Sequence, residues 1–116
     1  MIDKEKIKQK FSNLPKQALV NIIEESVKQF PRKMKQFILH AENGNTSETS
    51  YYSYQIRESY AYIFHDSHLN FLCHKIQEAA DKKELDNMMV LAEQLKLYSD
   101  IFLHQLEELK IETNNE

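Results

Sequence analysis

Four residues that could bind a metal or act as nucleophiles lie close together in the sequence: His65, His68, Cys73 and His74. Imidazole and thiolate groups are preferred zinc ligands, and a structural zinc site places four ligands around one ion. His68 and Cys73 are five residues apart, so on one helix they diverge by about 140°. One helix face therefore cannot present all four residues, and we expect no metal site here.

Other catalytic patterns are missing from the chain. Cys73 is the only cysteine, which excludes an internal disulfide, and a free cysteine is more often a small buried core residue than a nucleophile. The sequence contains no Ser-His-Asp ordering and no glycine-rich phosphate loop. We therefore expect neither enzymatic activity nor a cofactor.

The tyrosines are a less ordinary feature, because five of the six lie between positions 51 and 62. One helix cannot direct all five into a core. Tyr52 and Tyr60 fit the interior, and the others are either half-buried residues at its rim or part of a protein-binding surface. Tyrosine is enriched at such surfaces because it offers a large contact area at low entropic cost. The second face of this helix comprises Tyr54, Gln55, Glu58, Ser59 and Tyr62.

The elements that must position these residues follow from the composition. A chain of 116 residues with 41% hydrophobic side chains has room for one domain with one modest core. It contains one glycine and two prolines, whereas all-β folds need many more in their turns. Residues with high helix propensity are abundant. The composition predicts an all-α fold.

The charge and the hydropathy exclude several partners. The net charge is −3, and Lys and Arg are spread along the chain, which argues against nucleic-acid binding. No apolar run approaches the roughly 20 residues that span a bilayer. Residues 1–11 lack the apolar core of a signal peptide. We therefore expect a cytoplasmic protein that binds neither nucleic acid nor membrane.

Apolar residues recur at helical spacing along the whole chain. A short helix is expected within residues 2–11, a bundle of four helices at 15–111, and a frayed tail at 112–116. Pro15 suits the first position of the second helix, and Pro31 inside that helix predicts a kink or a short restart. Short loops between amphipathic helices favour an antiparallel arrangement.

The turns and the buried faces can also be placed. Gly44 ends the second helix, because it adopts a left-handed conformation at low cost. His65–Ser67 forms the turn between the third and fourth helices, with Asp66 or Ser67 as the N-cap. Residues 80–83 form the last turn. The predicted core includes Ile23, Val27, Phe37, Ile56, Leu72, Ile76, Ala92, Leu95 and Phe102. The apolar positions assigned to the last helix are Leu85, Met88, Met89, Ala92, Leu95, Phe102, Leu106 and Leu109.

The helical hairpin Tyr51–Gln77, YYSYQIRESYAYIFHDSHLNFLCHKIQ, resembles the central hairpin of histidine-containing phosphotransfer (HPt) domains. The likeness extends over most of the chain, from Leu14 to Leu109. It includes a proline midway along the first long helix and the order Leu-Cys, Ala-Ala, turn and long last helix. The resemblance implies an antiparallel four-helix bundle that passes phosphoryl groups between receiver domains.

The phosphoacceptor motif of the family, His-x-Leu-Lys-Gly-Ser, is degenerate in this chain. One register puts Gln55 at the histidine position and Glu58 at the lysine. The other puts Tyr54 and Arg57 there, at the cost of one extra residue before Cys73. Both registers remain open, and neither supplies a histidine. An amide or a phenol cannot form phosphohistidine, so the resemblance implies a member that does not transfer phosphate.

Three hypotheses follow from these observations. The first is a non-catalytic HPt-like binding module that docks a receiver or histidine-kinase domain and modulates a phosphorelay. The second is an active phosphotransfer protein that uses His65 or His68. The third is a helical structural or self-associating protein, and a homo-oligomer is possible in each case. The residues expected to bind the partner are Tyr54, Gln55, Arg57, Glu58, Ser59 and Tyr62.

Overall fold

The computed structural model describes all 116 residues and contains helices and turns without a β-strand, as the composition predicts. No helix combines the length and the apolar character needed to cross a bilayer. Five α-helices are present, and a short π-helical turn follows the third. In chain order the elements are α1 (Lys4–Lys10), α2 (Lys16–Glu42), α3 (Thr46–Ile56), the π-turn (Arg57–Ala61), α4 (Ser67–Asp81) and α5 (Leu85–Asn114).

The four longer helices pack around one continuous core. α2 contacts α3 and α5, and α4 contacts the same two helices. The buried cluster also includes Ile7 of α1. Of the predicted core residues, all are buried except Val27, which is partly buried and packs against the cluster. The helical periodicity therefore predicted the inward face of each long helix.

Aromatic rings fill the centre of this core. The ring centroids of Phe30 and Phe102 are 4.8 Å apart, and Tyr60 meets Phe30 edge to face at 5.1 Å. Phe64 lies 6.2 Å from Phe102. Inclined ring pairs of this kind add to the stabilisation that burial provides. Tyr60 is buried as predicted, whereas Tyr52 is only partly buried and stacks on His40.

The turn between α3 and α4 is organised by Asp66, which is fully buried. Its carboxylate accepts hydrogen bonds from the Leu69 amide at 2.9 Å and from the Tyr98 hydroxyl at 2.6 Å. Asp66 is thus the N-cap of α4, one of the two candidates from the sequence, and it also fastens α4 to α5. Burial, reinforced by the hydrogen bond to Asp66, raises the pKa of Tyr98.

The two prolines can be compared with expectation. Pro15 precedes α2 as its N-cap and does not occupy the first helical position. Pro31 lies inside α2, which is one helix from Lys16 to Glu42, so of the kink or short restart that the sequence predicts, the restart does not occur. The missing N–H removes one backbone hydrogen bond. Phe30 and Met34 on either side are buried in the core, so packing holds the helix together across this position.

The last helix also differs from the prediction. Leu85 and Met89 are 45% and 44% exposed. Met89 follows the buried Met88 and lies about 100° away from it around the helix, so it is directed outward. Leu85 keeps the spacing of the buried positions but is the first residue of the helix, at its exposed end. The helix extends to Asn114, into the segment expected to fray. Thr113 near its end is buried, and its hydroxyl donates to the Leu109 carbonyl at 2.7 Å.

Candidate functional site

The six residues predicted from the sequence to bind a partner all lie at the surface, on α3, on the π-turn or at the residue after it. Tyr54 and Tyr62 are 46% and 44% exposed. Ser59 is exposed, and the other three side chains are partly exposed. We call this set the Arg57 surface: Tyr54, Gln55, Arg57, Glu58, Ser59 and Tyr62.

The π-turn sets the geometry of this surface. The amide of Tyr62 donates to the carbonyl of Arg57 at 3.0 Å, a hydrogen bond between residues five apart. In an α-helix such residues would be separated by about 140°, whereas a π-turn places one above the other. The extra residue in this turn therefore brings Tyr62 onto the same side as Arg57.

The guanidinium of Arg57 lies between two tyrosine rings. Its central carbon is 5.8 Å from the ring centroid of Tyr54 and 5.8 Å from that of Tyr62. Tyr54 precedes Arg57 by three residues, which is neighbour spacing on an α-helix, and Tyr62 follows it across the π-turn. Cation–π attraction of this kind stabilises exposed sites by about 0.5–1 kcal/mol per ring. The arrangement restricts the position of an otherwise flexible side chain.

A histidine from the neighbouring helix completes the contacts of Arg57. Nη1 of Arg57 is 3.2 Å from Nδ1 of His74 on α4. A guanidinium only donates hydrogen bonds, so Nδ1 of His74 accepts and the proton of the neutral ring is on Nε2. That Nε2 atom lies 3.5 Å from the carboxylate of Glu78. Arg57, His74 and Glu78 thus form a polar chain across α3 and α4.

A shallow surface cleft of about 270 Å³ opens beside this chain. Two buried polar atoms of cleft residues have no hydrogen-bond partner, Nε of Arg57 and Oε1 of Gln77. The remaining lining residues are His74, Glu78 and Asp81. Because Glu78 and Asp81 are acidic, the cleft favours a donor or a cation over an anion.

Gln55 and Tyr54, the two residues that the resemblance to HPt domains predicts as alternatives at the histidine position, have different environments. The amide of Gln55 is partly buried and is already hydrogen-bonded, accepting from Lys33 Nζ at 3.0 Å and donating to the Tyr51 hydroxyl at 2.5 Å. The Tyr54 side chain extends into solvent beside Arg57. Tyr54 is therefore the more accessible of the two residues to a partner.

Glu58 is the acidic member of the Arg57 surface. Its carboxylate takes part in no salt bridge in the structure, although it is only partly exposed. The neighbouring Ser59 is exposed. These two residues add hydrogen-bonding groups and one negative charge to the Arg57 surface.

The residues that first suggested metal or nucleophilic chemistry do not converge. The structure contains no group of three or more His, Cys, Asp or Glu side chains that could hold a metal ion. Cys73 is buried, and burial raises the pKa of its thiol to about 12, so it is not a nucleophile at neutral pH. His65 is partly buried in the turn with φ +51°, and burial lowers its pKa. His68 is exposed and packs its ring against Tyr98.

Sequence reasoning missed His74 as a member of this site. It is 17 residues from Arg57, and only the pairing of α3 with α4 brings the two together. A helical-wheel projection that assumes an α-helix through residues 57–61 gives the wrong direction for the side chains that follow the turn, and so the wrong contacts between α3 and α4. No local spacing in the sequence signals the π-turn.

Comparisons with protein-family models, with curated proteins and with solved structures found no match to this chain.

Proposed function

We propose that this chain is a non-catalytic HPt-like binding module of the cytoplasm. It docks a receiver or histidine-kinase domain through the Arg57 surface and modulates a phosphorelay without carrying a phosphoryl group. The observation that supports this most is the position of Arg57, held between Tyr54 and Tyr62 at the surface. Arg and Tyr are the residue types most enriched among those that dominate binding energy at protein interfaces.

The helix packing is consistent with the proposed antiparallel four-helix bundle. Each long helix contacts the next one along the chain, and α5 returns to contact α2. The connections between them are short, and short connections join antiparallel neighbours. If the resemblance to HPt domains holds, α3 and the π-turn correspond to the helix through which such a module binds its partner.

The π-turn offers a physical account of the two registers of the degenerate motif. A π-turn is an α-helix with one residue inserted. Tyr54 and Arg57 at the histidine and lysine positions require one extra residue before Cys73, and the π-turn lies between Arg57 and Cys73. We propose the register in which Arg57 replaces the lysine, with the insertion absorbed at residues 57–61.

A binding assay tests the proposal directly. Receiver and histidine-kinase domains of the source organism are immobilised in turn, and the affinity of the chain for each is measured. The expected result is saturable binding to at least one of them. Arg57→Ala should weaken that binding at least tenfold, whereas Arg32→Ala, an exposed arginine on α2, should leave it unchanged. Binding to none of these domains, or equal loss in both variants, would refute the proposal.

Two further variants map the same surface. Tyr62→Ala should weaken the complex by about 1–2 kcal/mol or more if the ring is central to the interface. Glu58→Arg should change the affinity while thermal stability stays nearly constant, because an exposed charge contributes little to folding but matters for charge complementarity. Glu107→Arg on the exposed side of α5, where the carboxylate makes no ion pair, is the matched control and should change neither quantity.

The absence of phosphotransfer has its own test. The chain is incubated with a labelled phospho-receiver under conditions that preserve phosphohistidine. We expect no label on the chain, because neither Tyr54 nor Gln55 can form phosphohistidine. Acid-labile label that is lost in His65→Gln or His68→Gln would establish the alternative, an active phosphotransfer protein.

A further inference from the structure

The outward face of α5 carries an apolar stripe that no part of the chain covers. It consists of Val90, Leu97, Ile101 and Ile111, which are 58%, 65%, 52% and 61% exposed. Three exposed polar residues, Gln94, His104 and Glu108, lie in the same row. The seven positions from 90 to 111 follow one another at alternating intervals of four and three residues. That spacing is the heptad pattern by which helices pair side by side. It continues over about 32 Å of helix at 1.5 Å per residue.

One border of this α5 stripe is acidic. Glu93, Asp100 and Glu107 are exposed, follow one another at intervals of seven residues and take part in no salt bridge. The nearest lysines on α5 pair with acidic residues of α2, Lys96 with Glu42 and Lys110 with Glu24, both at 3.9 Å. The acidic row therefore makes no ion pair within the chain, although each of its members lies one helical turn from Lys96 or Lys110.

The opposite border of the α5 stripe is uncharged over most of its length. Leu91, Tyr98 and Gln105 are partly buried, and Tyr98 and Gln105 already hydrogen-bond within the chain. A second copy of α5 would therefore be a poor occupant. In an antiparallel two-fold pair the acidic row would meet itself, and in a parallel pair it would meet the uncharged border.

We propose that the α5 stripe binds an amphipathic helix of another protein, with apolar residues at heptad spacing and a row of Lys or Arg along one border. The apolar side chains supply the buried area, and the basic row pairs with Glu93, Asp100 and Glu107. His104 and Glu108, joined at 2.9 Å, form one polar pair within the stripe and restrict the register of the bound helix. This site is separate from the Arg57 surface, because α5 packs against α2 and α4 and makes no substantial contact with α3.

The test uses two synthetic helical peptides of about three heptads with leucine at the paired positions. One has lysine along one border, and the other has glutamate at the same positions. Their affinities for the full chain are measured by fluorescence anisotropy at low and high salt. The lysine peptide should bind at least tenfold more tightly than the glutamate peptide, and high salt should reduce this ratio.

Variants of the chain locate the binding and test the charge argument. Leu97→Gln should weaken binding of the lysine peptide at least tenfold, whereas Leu39→Gln, at an exposed leucine of α2, should not. A triple variant with lysine in place of Glu93, Asp100 and Glu107 should prefer the glutamate peptide. Circular dichroism and melting curves should show that each variant folds, because every substituted side chain is exposed.

Three outcomes would overturn the proposal. They are equal binding of the two peptides, no saturable binding of either, and a dimer of the chain in sedimentation that Leu97→Gln dissociates. The last of these would assign the α5 stripe to self-association. None of them bears on the Arg57 surface, whose own test uses receiver and kinase domains.

Discussion

In the Arg57 surface the exposed side chains contact one another. The Arg57 guanidinium lies between Tyr54 and Tyr62 and is hydrogen-bonded to His74. In the α5 stripe, by contrast, side chains such as Leu97 and Ile101 are more than half exposed. One surface is built at a break in α-helical geometry, and the other on a regular α-helix.

The difference concerns how each surface would bind. Side chains that are already held in place lose less conformational entropy on binding, which favours specificity for a partner of matching shape and charge. An open apolar stripe offers area and tolerates variation in the partner, and its charged border selects among helices. We therefore expect mutations at Arg57 to alter affinity for one partner, and mutations along α5 to alter affinity for a class of helices.

The largest expected effect is the difference in stability loss between a buried and an exposed leucine substitution. Leu72 of α4 is fully buried, so Leu72→Ala should lower the free energy of unfolding by about 2–5 kcal/mol. Leu97→Ala in the α5 stripe should change it by no more than about 0.5 kcal/mol. Urea denaturation monitored by circular dichroism measures both. Equal losses in the two variants would show that the α5 stripe is covered in solution.

The next effect concerns the buried carboxylate that joins α4 to α5. Asp66→Ala removes the N-cap of α4 and leaves the Tyr98 hydroxyl without its partner, so we expect a loss of about 2 kcal/mol. Tyr98→Phe should cost about 1 kcal/mol. Asp100→Ala on the acidic border of α5 is the matched control and should be nearly neutral. Should Asp66→Ala match that control in the same denaturation assay, the hydrogen bonds of Asp66 contribute nothing to stability.

Loss of the Arg57 contacts should lower the free energy of unfolding by less than loss of the Asp66 carboxylate. Arg57→Ala removes two cation–π contacts and the hydrogen bond to His74, so the free energy of unfolding should fall by about 1 kcal/mol. Arg32→Ala on α2 should leave it unchanged. In a double-mutant cycle, Arg57→Ala and Tyr62→Leu should be non-additive because the two side chains are in contact. Additive losses would show that the ring and the guanidinium do not interact in solution.

The smallest effect appears only in alkaline solution. Burial raises the pKa of Cys73 from 9.0 to about 12, so the unfolded chain releases the thiol proton first as the pH rises. The native state then binds more protons than the unfolded state, and stability falls with increasing pH above the unfolded value. Between about pH 8 and about pH 9.5 the contribution of Cys73 should be a loss of under about 1 kcal/mol. Cys73→Ala should remove this part of the slope, and an unchanged slope would show that the thiol is accessible to solvent.

The parts of the molecule that obey α-helical periodicity could be predicted from the sequence. The spacing predicts Leu72 and Ile76 of α4 in the core, and both are buried. Apolar spacing reports which face of a regular helix is inward, and α4 is regular throughout. A separate local rule, the low cost of a left-handed conformation for glycine, correctly predicted Gly44, whose φ is +70°.

Prediction failed where tertiary packing overrides a local rule. The short restart expected at Pro31 does not occur, because buried neighbours hold α2 together, and the alternative of a kink stays a prediction. The π-turn has no local signature, so the contact of Arg57 with Tyr62 and His74 could not be placed from spacing alone. The α5 stripe does have a signal in the sequence: Val90, Leu97 and Ile101 are apolar but out of phase with the inward face of α5.

The most direct test of the account is a nuclear magnetic resonance titration of the isotope-labelled chain with the receiver or kinase domain that binds it best. The account predicts chemical-shift changes concentrated on α3 and the π-turn, at Tyr54, Arg57, Ser59 and Tyr62, and at His74 beside them. Residues 90–111 of α5 should be unaffected. Changes confined to α5, with the Arg57 surface unperturbed, would contradict it.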